Sequence, residues 1–250
     1  VKRILTMALP RRRVLLGVLA TVTSARAVFV GVGKADGTGP TTSYTFMGMA
    51  KPDQKGEGLW TRLFARAFIV ANDDDERVAF VSLDAGMVGY VLKKKALELL
   101  DDDVRKYLDE TNVMISGTHT HSGPSGFLQH MIFQLAGSGW VPQVGEAMAT
   151  GIANAITKAH RDLEGQIAAA SKRTLAVART SLANASINRS PNAYLANPQA
   201  ERDVYNSNVD LDFVCLVVAE DDETAAALSP KEQDEQDAPP SEHQQLGGGL

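Results

Sequence analysis

Two histidines that lie two residues apart are the part of this sequence best suited to chemistry. His119 and His121, called here the histidine pair, sit in the stretch SGTHTHSG and are two of only five histidines in the chain. In extended backbone, residues two apart point the same way, so both imidazoles can face one site. Imidazole is a zinc ligand and a general base near neutral pH. The spacing alone is equally compatible with an exposed polar loop that has no chemical role.

The segments around the histidine pair predict a strand–helix–strand unit that places the pair at one edge of a sheet. Residues 78–84 and 112–116 are short apolar runs typical of strands, and residues 90–110 carry apolar side chains at helical spacing. A helical crossover joins parallel strands, and ligands bind beyond the carboxyl ends of such strands. The histidine pair follows one of these ends. Asp84 closes the other, either as a partner of the site or as the polar end of a strand.

The whole chain predicts an α/β fold with a mixed, largely parallel sheet and flanking helices. Residues 64–71 and 210–221 have the branched and apolar composition of strands, and residues 144–164 have helical spacing. The nearly continuous apolar sequence of residues 78–84 further predicts a strand covered on both faces. The single cysteine, Cys215, excludes an intrachain disulfide and is expected to be a packed core thiol of the last strand.

The composition is that of a globular protein that can bury a core. Of the 250 residues, 44% are hydrophobic and 22% are charged. The net charge of −5 provides no excess of basic side chains, so a nucleic-acid partner held by bulk electrostatics is not expected. The sequence indicates no oligomeric state.

Both ends of the chain differ in composition from its centre. Arg11, Arg12 and Arg13 precede the short apolar stretch VLLGVLATV, and SARA follows it. This order predicts a signal peptide over residues 1–27, cleaved after Ala27, and therefore a protein that is secreted, extracellular or held at a membrane. Residues 223–250 are acidic and poor in large apolar side chains, so we expect a disordered tail there that is not native domain sequence.

Four motifs in order resemble the neutral ceramidases, which are secreted or membrane-associated amidases. The histidine motif lies within NVMISGTHTHSGPSGF, and the likeness runs from about Val28 to Val218. The other three motifs are VFVGVGKADGTGP, the pair ARAFIV and RVAFVSLDAGM, and SINRSPNAYLANPQAERDVYNSNVD. The resemblance implies that residues 28–222 form the N-terminal part of the catalytic domain of this family.

The resemblance also implies a reaction and a role for three residues. The reaction is zinc-dependent hydrolysis of the N-acyl bond of ceramide, drawn from a membrane surface, to sphingosine and fatty acid. His119 matches the zinc ligand, His121 matches a catalytic residue beside the metal, and Arg189 of the N-R-S-P motif matches a residue that faces the active site. A guanidinium there can stabilise developing negative charge on oxygen, although a structural ion pair is the alternative for Arg189.

The sequence departs from the family pattern in two respects. Ser125 stands where the family usually has glycine, which puts the backbone geometry of the loop in question if a positive φ is required there. The later part of the family, with a second zinc-ligating histidine and further metal ligands, has no counterpart in the chain. The alternative interpretation is therefore a secreted non-catalytic fragment that keeps only part of the metal site. A barrel-type amidohydrolase is a weaker alternative. In that class the H-x-H follows the first barrel strand, whereas here it follows at least three predicted strands.

Overall fold

The computed structural model describes residues 21–49, 51, 53–137, 139–205 and 207–220. The acidic tail predicted at 223–250 lies outside the described residues. The predicted signal peptide is described only from Thr21, where the first strand begins. Both interpretations stay predictions. In the described part of the chain, no helix combines the length and the apolar character that crossing a membrane requires.

The chain divides into two compact units, a larger one built mainly from Arg26–Leu175 and a smaller one that contains Ala176–Val217. The strands are β1 (Thr21–Asp36), β2 (Thr42–Thr45), β3 (Lys55–Glu57), β4 (Phe64–Ala71), β5 (Arg77–Leu83), β6 (Val113–Gly117), β7 (Arg173–Ser181) and β8 (Asp212–Ala219). The helices are α1 (Tyr90–Glu98), α2 (Asp102–Arg105), α3 (Met131–Ala136), α4 (Pro142–Ala168), α5 (Pro191–Leu195) and α6 (Gln199–Arg202).

The predicted elements are found, with one interruption and several additions. The helix predicted over 90–110 is two helices, α1 and α2, because aspartates at 101–103 favour a helix start over a helix interior. Asp101 has the extended backbone of a capping residue. Helix α4 begins earlier than predicted because Pro142 is well suited to the first turn. No sequence pattern predicted β2, β3, β7, α3, α5 or α6.

The α/β class and the mixed sheet are confirmed, but the expectation of a largely parallel sheet is wrong for the strand pairs whose register is described. In the larger unit the strands lie in the order β6-β5-β4-β1. β5 pairs with β6 in parallel, as the crossover through α1 and α2 requires, whereas β4–β5 and β1–β4 are antiparallel. The turn between Asn72 and Glu76 is too short for a crossover, so β4 and β5 form a hairpin.

Helix α4 covers one face of this sheet. Buried side chains alternate along β4 and β5 and belong to one apolar cluster with the inner face of α4. The largest of these fully buried side chains are Ile69, Val81, Leu83, Met148, Ile152, Ile156 and Leu163. This face forms the core on which the rest of the larger unit is built.

The opposite face of the same strands is exposed among the described residues. The strand register aligns Val32, Phe68, Phe80 and Met114 in one row, and each of these side chains is 39–60% exposed. The prediction that residues 78–84 are covered on both faces is therefore wrong in the described structure. Cys215 is likewise only half-buried on β8, whose other apolar side chains are largely exposed, so it is not a packed core thiol.

Strand β1 and helix α4 approach each other closely through glycine. A Cβ atom at Gly31 would overlap the carbonyl oxygen of Ala159, and one at Gly33 would overlap the carbonyl oxygen of Ala155. Because the obstructing atoms belong to the helix backbone, they cannot rotate away. The two glycines therefore set the distance between sheet and helix.

We predict that Gly31→Ala lowers the free energy of unfolding by about 1–3 kcal/mol or more, because it overpacks the interface with α4. The matched control is Gly165→Ala, because Gly165 lies in α4 itself and has open space around its Cβ position. This control should raise the free energy of unfolding by about 0.5–1 kcal/mol. Urea unfolding followed by circular dichroism measures both, and equal effects in the two variants would contradict the close approach.

Candidate active site

The histidine pair lies directly beyond the carboxyl end of β6, as predicted. The parallel pairing with β5 continues past the strand end, since the backbone N–H of Thr118 donates to Leu83 O at 2.9 Å and that of His119 donates to Ala85 O at 3.0 Å. His119 has a φ of 63°, which is uncommon for a residue with a side chain. Such conformations cost about 1–3 kcal/mol and concentrate at functional sites. The hydrogen bonds to Leu83 and Ala85 hold the backbone of His119 in this conformation.

A backbone carbonyl fixes the orientation of the His119 imidazole. The Nδ1 atom of His119 lies 2.7 Å from the carbonyl oxygen of Gly86. A carbonyl can only accept, so Nδ1 carries the hydrogen and donates it. In the neutral ring, Nε2 of His119 then keeps its lone pair. This is the arrangement usual in metal-ligating histidines, whose second ring nitrogen donates to a carbonyl or carboxylate.

His121 faces His119 across a short gap. The two Nε2 atoms are 3.3 Å apart, and the rings are 4.8 Å apart between centroids at an angle of 74°. Because Nε2 of His119 has the free lone pair, His121 donates its Nε2 hydrogen in this hydrogen bond. The His121 side chain is half-buried, whereas His119 is exposed. The pair thus directs two ring nitrogens to one point at the surface.

The segment after β2 forms a wall beside His121. The backbone N–H of Met47 donates to Gly123 O at 3.1 Å, and Phe46 forms an isolated bridge with Pro124. Gly48 has a φ of 82°, and a Cβ atom there would lie 3.0 Å from Nε2 of His121. Glycine at 48 therefore meets both a conformational and a steric requirement. Neither Gly48 nor Gly86 was predicted from sequence, because glycine has no side chain that could indicate a chemical role.

The serine at 125 does not disturb the loop. Positive φ falls on the next residue, Gly126, at 93°, and Ser125 is not among the described residues with positive φ. The concern about loop geometry is therefore removed. Ser125 is buried, and its hydroxyl forms hydrogen bonds to Thr45 and Gly137.

Asp84 is engaged with Arg66. Its Oδ1 and Oδ2 atoms accept hydrogen bonds from the guanidinium of Arg66 at 2.8 and 3.0 Å, and Oδ2 also accepts from the Phe64 backbone N–H at 3.0 Å. Burial acts to raise the pKa of Asp84, but these hydrogen bonds and the positive charges of Arg66 and Lys34 outweigh burial and lower the pKa overall. Of the two alternatives for Asp84, the geometry favours a strand-end anchor.

Arg189 lies in the smaller unit, and its side chain is exposed. The turn that carries it is held by Asn188, which donates to Asn208 O at 3.1 Å and accepts from the Ser190 backbone N–H at 2.8 Å. The role assigned to Arg189 beside the histidine pair stays a prediction.

The described residues supply part of a metal site. The lone pair on His119 Nε2 fits a zinc ligand, and His121 can offer a second nitrogen after losing its Nε2 hydrogen. Within the described ranges, no group of three or more His, Cys, Asp or Glu side chains is arranged to hold a metal ion. A catalytic zinc normally has three protein ligands, so the donor set fits one side of such a site.

A separate cleft of about 670 Å³ lies beside α1 and is lined by Tyr90, Lys93, Leu97, Arg105 and Leu108, among others. None of its lining residues belongs to the loop after β6 that carries the histidine pair, called here the histidine loop. Because chemistry needs reactive groups that converge, the geometry of the histidine pair outweighs the size of this cleft in locating the candidate active site.

We predict that Asp84→Asn lowers the free energy of unfolding by about 1–2 kcal/mol at neutral pH, because it removes the charge that Arg66 binds. The folded-state pKa of Asp84 is lowered, so its stabilisation is full above the unfolded value of about 3.9 and is lost as the pH falls through the folded value. The gap between wild type and variant should therefore close below about pH 4. Asp74→Asn, at the exposed turn of the same hairpin, is the control for urea unfolding at each pH. A gap that does not vary with pH would contradict this account.

Comparisons with known sequences agree with the motifs. Residues 28–229 match the family described as neutral/alkaline non-lysosomal ceramidase, N-terminal. The chain is 44% identical to neutral ceramidase of Drosophila melanogaster over 182 residues, which are 72% of this chain and 25% of that protein. It is 37% identical to neutral ceramidase 3 of Arabidopsis thaliana over 203 residues, which are 81% of this chain and 27% of that protein. The chain thus spans about a quarter of the length of the curated relatives it matches.

A solved structure is also similar. The crystal structure of neutral ceramidase from Pseudomonas aeruginosa matches with a TM-score of 0.68 and 32% sequence identity. The match covers 77% of this chain and 29% of that one. Neutral ceramidases are metal-dependent as a family.

Proposed function

Because the chain belongs to the neutral/alkaline non-lysosomal ceramidase family, we propose that it carries the histidine part of an active site for ceramide hydrolysis. The reaction cleaves the N-acyl amide bond and gives sphingosine and a fatty acid. The observation that carries the proposal is the convergence of the two imidazoles, with the His119 ring oriented by Gly86 O at 2.7 Å.

Zinc is the metal that we propose for this site. His119 would hold it through Nε2, because the hydrogen bond from Nδ1 to Gly86 leaves that lone pair free. When bound, zinc supplies Lewis-acid polarisation of the amide carbonyl. The ligands beyond His119 are not assigned within the described residues.

His121 has a different role in the proposal, which is proton transfer. An amine is a poor leaving group unless its nitrogen gains a proton as the C–N bond breaks, and a positioned histidine can supply that proton. Nε2 of His121 carries a hydrogen and points at the same place as Nε2 of His119. The wall at Gly48 limits the movement of the His121 ring. Arg189 is proposed to stabilise negative charge on the substrate oxygen.

The setting of the reaction is also a proposal. Ceramide is an insoluble lipid, so its source is a membrane surface. The basic and apolar N-terminal sequence supports a chain that is secreted, extracellular or held at the membrane. N-terminal sequencing of extracellular material tests secretion: a start at Val28 is expected, and material that keeps the residues before Val28 would contradict it.

A non-catalytic secreted chain that keeps part of the metal site is the second candidate. It is favoured by one observation, that two histidines fall short of the three ligands usual for catalytic zinc among the described residues. Assay of residues 28–250 with added zinc, beside a full-length relative, separates the two candidates. Turnover within about tenfold of the relative, a barrier difference of ~1.4 kcal/mol, would exclude the second candidate.

The roles of the histidine pair can be tested in an intact relative, at the residues that align with His119 and His121. The alanine variant at His119 should lose bound zinc and activity together, because a metal ligand sets the affinity. The alanine variant at His121 should keep zinc but lose about 10²–10⁴-fold in turnover, because a proton donor acts in the transition state. Elemental analysis and ceramide hydrolysis measure the two quantities. Full zinc occupancy in the first variant would show that the ligand assignment is wrong.

A further inference from the structure

Two buried hydroxyl groups, those of Thr45 and Ser125, form a hydrogen-bonded chain that joins the loop of the histidine pair to its neighbours. It is called here the hydroxyl chain. Oγ of Ser125 is 2.7 Å from Gly137 O and 2.7 Å from Oγ1 of Thr45. Ser125 has one hydroxyl hydrogen and donates it to the carbonyl, so Thr45 donates to Ser125. Both side chains are at least nine-tenths buried, with Ser125 1% exposed and Thr45 5% exposed. The hydrogen bonds of the hydroxyl chain therefore all run in one direction, from Thr45 through Ser125 to Gly137.

This hydroxyl chain joins three segments that are distant in sequence. Thr45 ends β2, Ser125 follows the histidine pair, and Gly137 caps the end of α3. The backbone reinforces the first junction, since the Ser125 N–H donates to Thr45 O at 2.9 Å. Three residues beyond Thr45, Gly48 lies against the His121 ring. The hydroxyl of Ser125 is thus connected to His121 by two routes, along its own loop and through the β2 segment.

We propose that Ser125 is a positioning residue for His121, because the Ser125 hydroxyl keeps the His121 ring facing His119. Removal of the hydroxyl leaves a buried donor on Thr45 and a buried acceptor on Gly137 without this partner, and unpaired buried groups are strongly disfavoured. Only backbone contacts then hold the β2 segment to the loop, so the two segments shift to regain partners and Gly48 no longer confines the ring. The glycine that the family resemblance predicts at 125 has no hydroxyl, so this link is a feature of the present chain. The proposal rests on the proposed function only for the chemical use of His121.

The test is nuclear magnetic resonance of the full chain without metal, with Ser125→Ala compared with Ser122→Ala. Ser122 is an exposed serine of the same loop and is the matched control. The wild type and Ser122→Ala should show a nuclear Overhauser effect between the rings of His119 and His121, whose centroids are 4.8 Å apart. Ser125→Ala should lose this effect. The ring contact between Tyr107 and His160, at 5.9 Å, reports whether the core is intact and should persist in all three proteins.

A second variant covers the case in which Ser125→Ala does not fold. Thr45→Val keeps the bond from Ser125 to Gly137 but removes the side-chain bond that joins the β2 segment to the loop, so it should also lose the contact between the histidine rings. Persistence of that contact in folded Ser125→Ala, or in Thr45→Val if Ser125→Ala is unfolded, overturns the proposal, as does its absence in the wild type. Since no step depends on metal or turnover, failure of the proposed function in a ceramide assay is distinguished from failure of this inference.

Discussion

The position of the histidine pair depends on the parallel pairing of β5 with β6 and on its continuation beyond both strand ends. Hydrogen bonds from Thr118 and His119 to the carbonyls of Leu83 and Ala85 hold the backbone, and the carbonyl of Gly86 holds the His119 ring. Both the main chain and the side chain of His119 are therefore attached to the same four-residue segment. This attachment maintains a φ of 63° that a free loop would rarely adopt.

The core of the larger unit supports that attachment from behind. β5 is fixed between β4 and β6, and its buried side chains lie in one apolar cluster with α4. The close approach of α4 to Gly31 and Gly33 of β1 restricts the sheet further, because backbone atoms are in contact there. At the end of the hairpin, Asp84 ties β5 to Phe64 and Arg66 of β4. Sheet, helix and ion pair together make the strand end a rigid base for the histidine loop.

Much of the arrangement near the histidines is predictable from sequence because it is local. Strand β4 matches the predicted range, β5 and β6 are within one residue of theirs, and the crossover between β5 and β6 follows from the intervening helical pattern. The direction of the remaining strands was not predicted correctly, although the short turn from Asn72 to Glu76 already requires a hairpin. The break between α1 and α2 was also missed, although aspartates at 101–103 are unfavourable inside a helix.

The contacts that complete the site could not be predicted, because they use backbone atoms or residues without chemical character. Gly86 acts through its carbonyl oxygen, and Gly48 acts through the absence of a side chain. Thr45 and Ser125 are 80 residues apart and meet only in the folded chain. A single sequence identifies the histidines but not the groups that orient them.

The carbonyl of Gly86 selects the tautomer of His119 by accepting the hydrogen of Nδ1. Long-range proton–nitrogen correlation of the imidazole rings in the metal-free chain at neutral pH reports this tautomer. We expect His119 to carry its hydrogen on Nδ1 and to leave Nε2 unprotonated. A His119 ring with its hydrogen on Nε2 and an unprotonated Nδ1 would show that Gly86 does not select the tautomer.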